Sequence, residues 1–178
     1  IPSPTCSYLM SKEYPGLLGT EEASALAARS FDLMRWIDLE LRRKKKLRKD
    51  WKQTFEKIAY QAPCHLRAQK IAFPAVPLLE ATGADVELIQ ECSAVDGTWG
   101  MKEQYYELGR KYCQRLVRAM REAEAQAYAT DCPLSAQRIS FELGGVRVHH
   151  PIELLARGYG FGEDGEPLAG SSSTPSAS

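Results

Sequence analysis

Long apolar runs are what this chain of 178 residues lacks first. No stretch approaches the roughly 18 uninterrupted apolar residues that span a bilayer, and the sequence reads as one without a secretory signal. Net charge is missing as well. The 23 basic and 23 acidic side chains cancel, so no global field draws the protein toward nucleic acid or acidic substrates. No Gly-x-Ser-x-Gly elbow and no His-Glu-x-x-His pair occurs. The glycine-rich stretch from Gly158 to Gly162 follows a helical pattern instead of preceding one, which excludes it as a phosphate cradle.

What is present is ordinary globular material with one unusual ingredient. Apolar residues make up 44% and charged residues 26%, enough for a real core in one domain plus tails. Ile1 is not an initiator methionine, as expected of a fragment or a processed piece. The ingredient is cysteine, five of them. Without a secretory signal they argue against a disulfide scaffold and for metal binding or catalysis.

Three of the five cysteines share one context. Short strand-like runs hand over to Cys64, to Cys92 and to Cys132 within a few residues. Strands alternating with helices imply right-handed βαβ crossovers and a mostly parallel sheet, an α/β fold. The cysteines then stand at the C-terminal ends of the strands, on the edge where open α/β sheets bind ligands. Strands are expected at 55–60, 86–90, 126–130 and 146–148. Thr20 followed by Glu21 and Glu22 reads as an N-cap opening a helix to about Leu41. Further helices are expected from Arg67 to about Thr82 (interrupted by Pro74 and Pro77), after Met101, from Pro133, and from His150-Pro151 through Tyr159.

Three regions follow. Residues 1–50 are expected to form a linker and a helix ending in a basic run, and they open like the end of something already under way. Residues 51–160 form the cysteine-rich α/β domain, and 161–178 a disordered tail rich in Gly, Ser and Pro. The run Arg42 to Lys49 reads either as a solvated helix end or as a patch for anionic lipid or an acidic partner.

An iron–sulfur cluster or a tetrahedral zinc needs about four soft ligands. Cys64, Cys92 and Cys132 offer three. Cys6, in a Pro-Thr-Cys-Ser setting, is a candidate fourth thiolate, and His65 is a ligand, a hydrogen-bond donor to sulfur, or a helix N-cap. Asp96, Thr98 and Asp131 lie on the same edge as outer groups around the ligands. Cys113 sits beside the apolar stripe of the long helix and reads as a core cysteine. His149 and His150 read as structural. A Cys64–His65 nucleophile pair is disfavoured, because adjacent residues in an extended segment point apart.

At these residues a family resemblance enters. Ala62-Pro-Cys-His-Leu-Arg-Ala-Gln69, Glu91-Cys-Ser-Ala-Val-Asp-Gly-Thr-Trp-Gly-Met-Lys102, Ala129-Thr-Asp-Cys-Pro-Leu134 and His150-Pro-Ile-Glu-Leu-Leu155 resemble the C-terminal cysteine-rich domain of Fe–S oxidoreductases. The nearest branch is that of the C-subunit of anaerobic glycerol-3-phosphate dehydrogenase. The B-subunit of heterodisulfide reductase and the lactate and glycolate oxidase Fe–S subunits are more distant. In that family each repeat reads Cys … Cys-Cys-Gly … Cys-x-x-Cys and holds a cluster that relays electrons. By position Cys64 matches the first cysteine, Cys92 the first of the pair and Cys132 the first of Cys-x-x-Cys. Cys6 resembles the last cysteine of the preceding repeat. Ser93 and Ser135 stand where the full motif has its two other cysteines. Serine is a poor ligand for soft iron, which leaves a four-ligand 4Fe-4S cluster, a zinc or an emptied site.

The resemblance implies an electron-transfer domain passing electrons from a flavoprotein dehydrogenase toward quinone. It implies a cytoplasmic place peripheral to the inner membrane, with Arg42–Lys49 at a membrane anchor, lipid or partner. The ferredoxin-like portion expected of such subunits lies outside this sequence. The rival is a non-catalytic domain, zinc-binding or metal-free, retained for subunit assembly.

Overall fold

The computed structural model describes residues 1–168. Four strands, β1 (Lys57–Gln61), β2 (Asp85–Ile89), β3 (Ala127–Ala129) and β4 (Val148–His149), form one sheet in the order β2-β1-β3-β4. Every pairing is parallel, with Ile58 opposite both Val86 and Ala127 and Tyr128 opposite Val148. The α/β fold expected from the alternation is the one observed. The order reverses between β1 and β3: the chain leaves β1 for β2 on one side and then returns to the other. A crevice opens at such a reversal, outside the carboxyl ends of the two strands.

Helices cover both faces of the sheet. α5 (Cys64–Gln69) and α6 (Ala75–Glu80) join β1 to β2, α7 (Glu103–Glu122) joins β2 to β3, and α8 (Pro133–Glu142) joins β3 to β4. α9 (Pro151–Gly158) follows β4. One core holds Ile58, Tyr60, Leu78, Leu79, Ala127, Ala129, Leu154 and Leu155. The other gathers Ala59 and Ile89 with Cys113, Leu116, Val117 and Met120 of α7 and Ile139 of α8. Alternate residues of β1 thus feed opposite cores, the period of two that a doubly covered strand requires.

The N-terminal region is also helical: α1 (Pro4–Tyr8), α2 (Tyr14–Leu18), α3 (Glu21–Ala28) and α4 (Leu33–Ile37). Wider π turns at Leu9–Glu13 and Asp38–Arg42 extend α1 and α4. Thr20 caps α3 as expected, accepting from the Ala23 N–H at 3.2 Å. The single helix expected to reach Leu41 is instead two. Asp32 is extended and accepts from the Arg35 N–H at 3.2 Å, so a second N-cap starts a new helix where the periodicity alone ran on. Met34 and Ile37 of α4 then enter the core beside Ile58 and Tyr60.

The basic run closes on itself. Arg42 and Arg43 donate to the buried Asp38 at 2.5 and 2.7 Å. Lys44 pairs with Glu40, and Arg48 with Asp50. Lys45, Lys46 and Lys49 are left exposed outside any ion pair among the described residues. No helix among those residues is long and apolar enough to cross a membrane. Phe161 and Pro167 form an antiparallel bridge, and the rest of the expected tail, 169–178, lies outside the described residues.

Candidate functional site

Cys64, Cys92 and Cys132 each stand three residues beyond the end of a strand, after β1, β2 and β3 respectively. None is in the strand itself. Cys64 is the first residue of α5, Cys92 lies in the irregular loop after β2, and Cys132 is the N-cap of α8. His65 is therefore the second residue of its helix and not the cap, which is Pro63.

A buried polar network knits the three cysteine-bearing loops together. Its hub is Gln61, the last residue of β1 and only 3% exposed. Gln61 Nε2 donates to the carbonyls of Ala62 at 2.8 Å and Glu91 at 3.2 Å, so it reaches the residue before Cys92. Its Oε1 accepts from the Thr130 hydroxyl at 2.8 Å, and Thr130 Oγ1 in turn accepts from the Cys132 N–H at 3.3 Å. Buried polar atoms without partners cost roughly 1–3 kcal/mol each. The network meets that demand by fixing the loops relative to each other. A polar residue directly after the apolar run Ile58-Ala-Tyr60 was the visible signal for Gln61, and Thr130 carried none.

A second set of bonds ties the Cys92 loop to α8. The buried hydroxyls of Ser93 and Ser135 are 2.9 Å apart. Arg138, 3% exposed, donates from Nη2 to the Gly100 carbonyl at 2.5 Å. The same guanidinium lies 3.5 Å from Glu142 and stacks 4.9 Å from the Tyr106 ring centroid. The loop also lies tightly against α7. A Cβ on Gly100 would meet the Ala94 carbonyl at 1.9 Å, and one on Gly109 of α7 would meet the Gly100 carbonyl at 3.0 Å.

Cys6 is carried by α1, which packs against α5. Gln69 of α5 donates to the Pro4 carbonyl at 3.1 Å and to Ser7 Oγ at 2.9 Å. His65 sits between these helices, with Nδ1 3.0 Å from Thr5 Oγ1 and 3.8 Å from Cys64 Sγ. Its ring lies 5.4 Å from that of Tyr8. His65 is thus placed to orient the Cys64 sulfur. His150 caps α9, accepting from the Ile152 N–H at 3.2 Å, and His149 pairs with Glu153 at 3.2 Å, both structural as expected.

Burial raises the Cys64 thiol, and the Cys132 and Cys92 thiols push it the same way. Asp131, next to Cys132, is 1% exposed and takes a hydrogen bond from the Tyr60 hydroxyl, while its other oxygen has no partner among the described residues. Burial moves this carboxyl up to about 7. Cys113 is buried in α7, and desolvation, with Glu142 nearby, pushes it up to about 11. It is the core thiol the sequence indicated. Asp96 is exposed on the Cys92 loop at positive φ.

All five cysteines are free. Thiolates are the donors that iron or zinc of low coordination number prefers, and the Ser93 and Ser135 oxygens are occupied with each other. The donor chemistry therefore fits a soft metal or cluster. The sulfurs are not drawn into a closed cage: among the described residues no three His, Cys, Asp or Glu side chains are gathered closely enough to hold a metal ion.

No family model matches the chain, and no solved structure matches it significantly. It is 27% identical over 157 residues to the C-subunit of the anaerobic glycerol-3-phosphate dehydrogenase of Escherichia coli K12, and equally to that of Escherichia coli O157:H7. The aligned residues are 87% of this chain and 39% of either relative. The chain thus spans about two-fifths of the curated relatives it matches, and its likeness to them covers most of its own length.

Proposed function

We propose that this chain is an electron-transfer domain of an Fe–S oxidoreductase subunit. It would relay electrons from a flavoprotein dehydrogenase, of the kind that oxidises glycerol 3-phosphate, toward quinone. Cys64, Cys92 and Cys132 bind the cluster, Cys6 completes the thiolate set, and His65 donates to the Cys64 sulfur. A 4Fe-4S cluster held there supplies a one-electron carrier. The observation that carries this reading is the Gln61 network, which joins the loops of Cys64, Cys92 and Cys132 at the carboxyl edge of a parallel sheet. Nothing in the fold requires Cys64 or Cys92 to be exposed thiols, since neither packs in a core. The likeness to a dehydrogenase subunit supports the same assignment. Lys45, Lys46 and Lys49 remain as the cations for a peripheral contact with anionic lipid.

The buried bond between Ser93 and Ser135 favours a second reading, a zinc-binding or metal-free assembly domain, because it fills with hydroxyls the place of two thiolates. Cys64→Ser separates the two. In a relay the variant loses the visible charge-transfer absorption and the dithionite-reducible electron paramagnetic signal of the anaerobically reconstituted protein. In an assembly domain neither signal is present in the parent, and the substitution changes stability alone.

A further inference from the structure

We infer that the outer face of α7 is the docking surface for an acidic redox protein, which seats beside Cys92. This rests on the electron-transfer reading above and names the surface and the partner chemistry it implies.

The face is set by helical spacing. Gly109, Cys113, Leu116, Val117 and Met120 bury one side of α7, and Leu108, Lys111, Tyr112, Arg115 and Arg118 recur at intervals of three and four on the other. Tyr112 is 68% and Leu108 44% exposed. Two large apolar side chains on a solvent face, with no neighbour covering them, are the composition of an interface core. Lys111, Arg115 and Arg118 form no ion pair among the described residues, whereas Arg110 on the flank is taken up by Glu142 and Glu107. Glu122 ends the stripe and leaves it net basic.

The stripe opens onto an open cleft of about 610 Å³ whose lining includes Cys92, Trp99, Leu108, Lys111, Tyr112 and Arg115. Glu91 and Asp96 line the same cleft at its Cys92 end. That reversal of sign decides the occupant. A lipid surface or a nucleic-acid backbone is anionic throughout and would meet Glu91 and Asp96 unfavourably. A folded protein can set carboxylates over α7 and uncharged groups over Cys92. Such complementarity steers encounter and fixes orientation more than it adds raw affinity.

The test uses flavodoxin, a small acidic flavoprotein, as the probe, immobilised at low ionic strength. The full chain should bind, and binding should weaken at least about tenfold between 20 and 300 mM salt. The triple variant K111E/R115E/R118E should bind at least about tenfold more weakly at low salt. The variant K12E/R29E/K52E, which carries the same change of charge at exposed residues elsewhere, should bind within about twofold of the parent. Circular dichroism confirms that each variant is folded. Absence of binding by the parent, equal binding by the α7 variant, or equal loss in both triple variants overturns the proposal. So does α7-dependent binding to phosphatidylserine vesicles without binding to flavodoxin. Binding needs no cluster, so a chain that docks as described yet holds none defeats the relay reading and leaves the docking surface standing.

Discussion

Ser93 and Ser135, separated by 42 positions, share one buried hydrogen bond of 2.9 Å. It joins the residue after Cys92 to the third residue of the helix that Cys132 caps. S93A leaves the Ser135 hydroxyl buried without its partner, and the reverse holds for S135A. Each single variant should lose about 1–3 kcal/mol of unfolding free energy. The double variant should lose less than the sum, with a coupling of at least about 0.5 kcal/mol. Urea titration of the four proteins measures this. Additive losses would mean that the two hydroxyls do not depend on each other.

Gly100 brings the Cys92 loop against its own start. G100A places a methyl group in the Ala94 carbonyl, so the loop must move. That should cost at least about 2 kcal/mol and slow cluster or metal uptake. G109A meets its nearest backbone atom at 3.0 Å and should cost less. Denaturation midpoints rank the two, and equal midpoints would contradict the close approach.

The five thiols divide by exposure and charge. Cys6, Cys64 and Cys92 are exposed, Cys132 is intermediate and Cys113 is buried with its thiol up at about 11. Iodoacetamide on the folded, metal-free chain at pH 8 should modify Cys113 at least about a hundredfold more slowly than Cys6. Because only the thiolate reacts, any native-state modification of Cys113 should rise about tenfold per pH unit up to about pH 11. In urea all five should react. Peptide mass spectrometry follows each site, and fast labelling of Cys113 in the folded protein would contradict its place in the core.

The sheet was legible because its strands are short apolar runs bounded by turn residues, and all four lie within about two residues of their expected spans. The N-terminal helix was misread for a local reason: Asp32 restarts the helix, and apolar spacing does not register a cap. His65 was displaced from the cap by Pro63, whose extended backbone starts α5 two residues earlier than a His65 cap would. The cysteine positions were visible one by one. What joins them was not, since Gln61 bonds to residues 30 and 69 positions away, and no local pattern encodes such pairs. The basic run read as a solvated helix end or as a patch, and neither reading registers Asp38, a helical turn earlier, which draws in Arg42 and Arg43.

The central claim is a cluster at Cys64, Cys92 and Cys132, and its most direct measurement is iron and acid-labile sulfide content. The full chain is purified or reconstituted without oxygen, and the single Cys→Ser variants are assayed beside it. The account predicts iron and sulfide in matching amounts, roughly four of each per chain for a 4Fe-4S cluster. It predicts loss of both in the Cys64, Cys92 and Cys132 variants and retention in the Cys113 variant. Zinc without sulfide, or no bound metal in the parent, would contradict it.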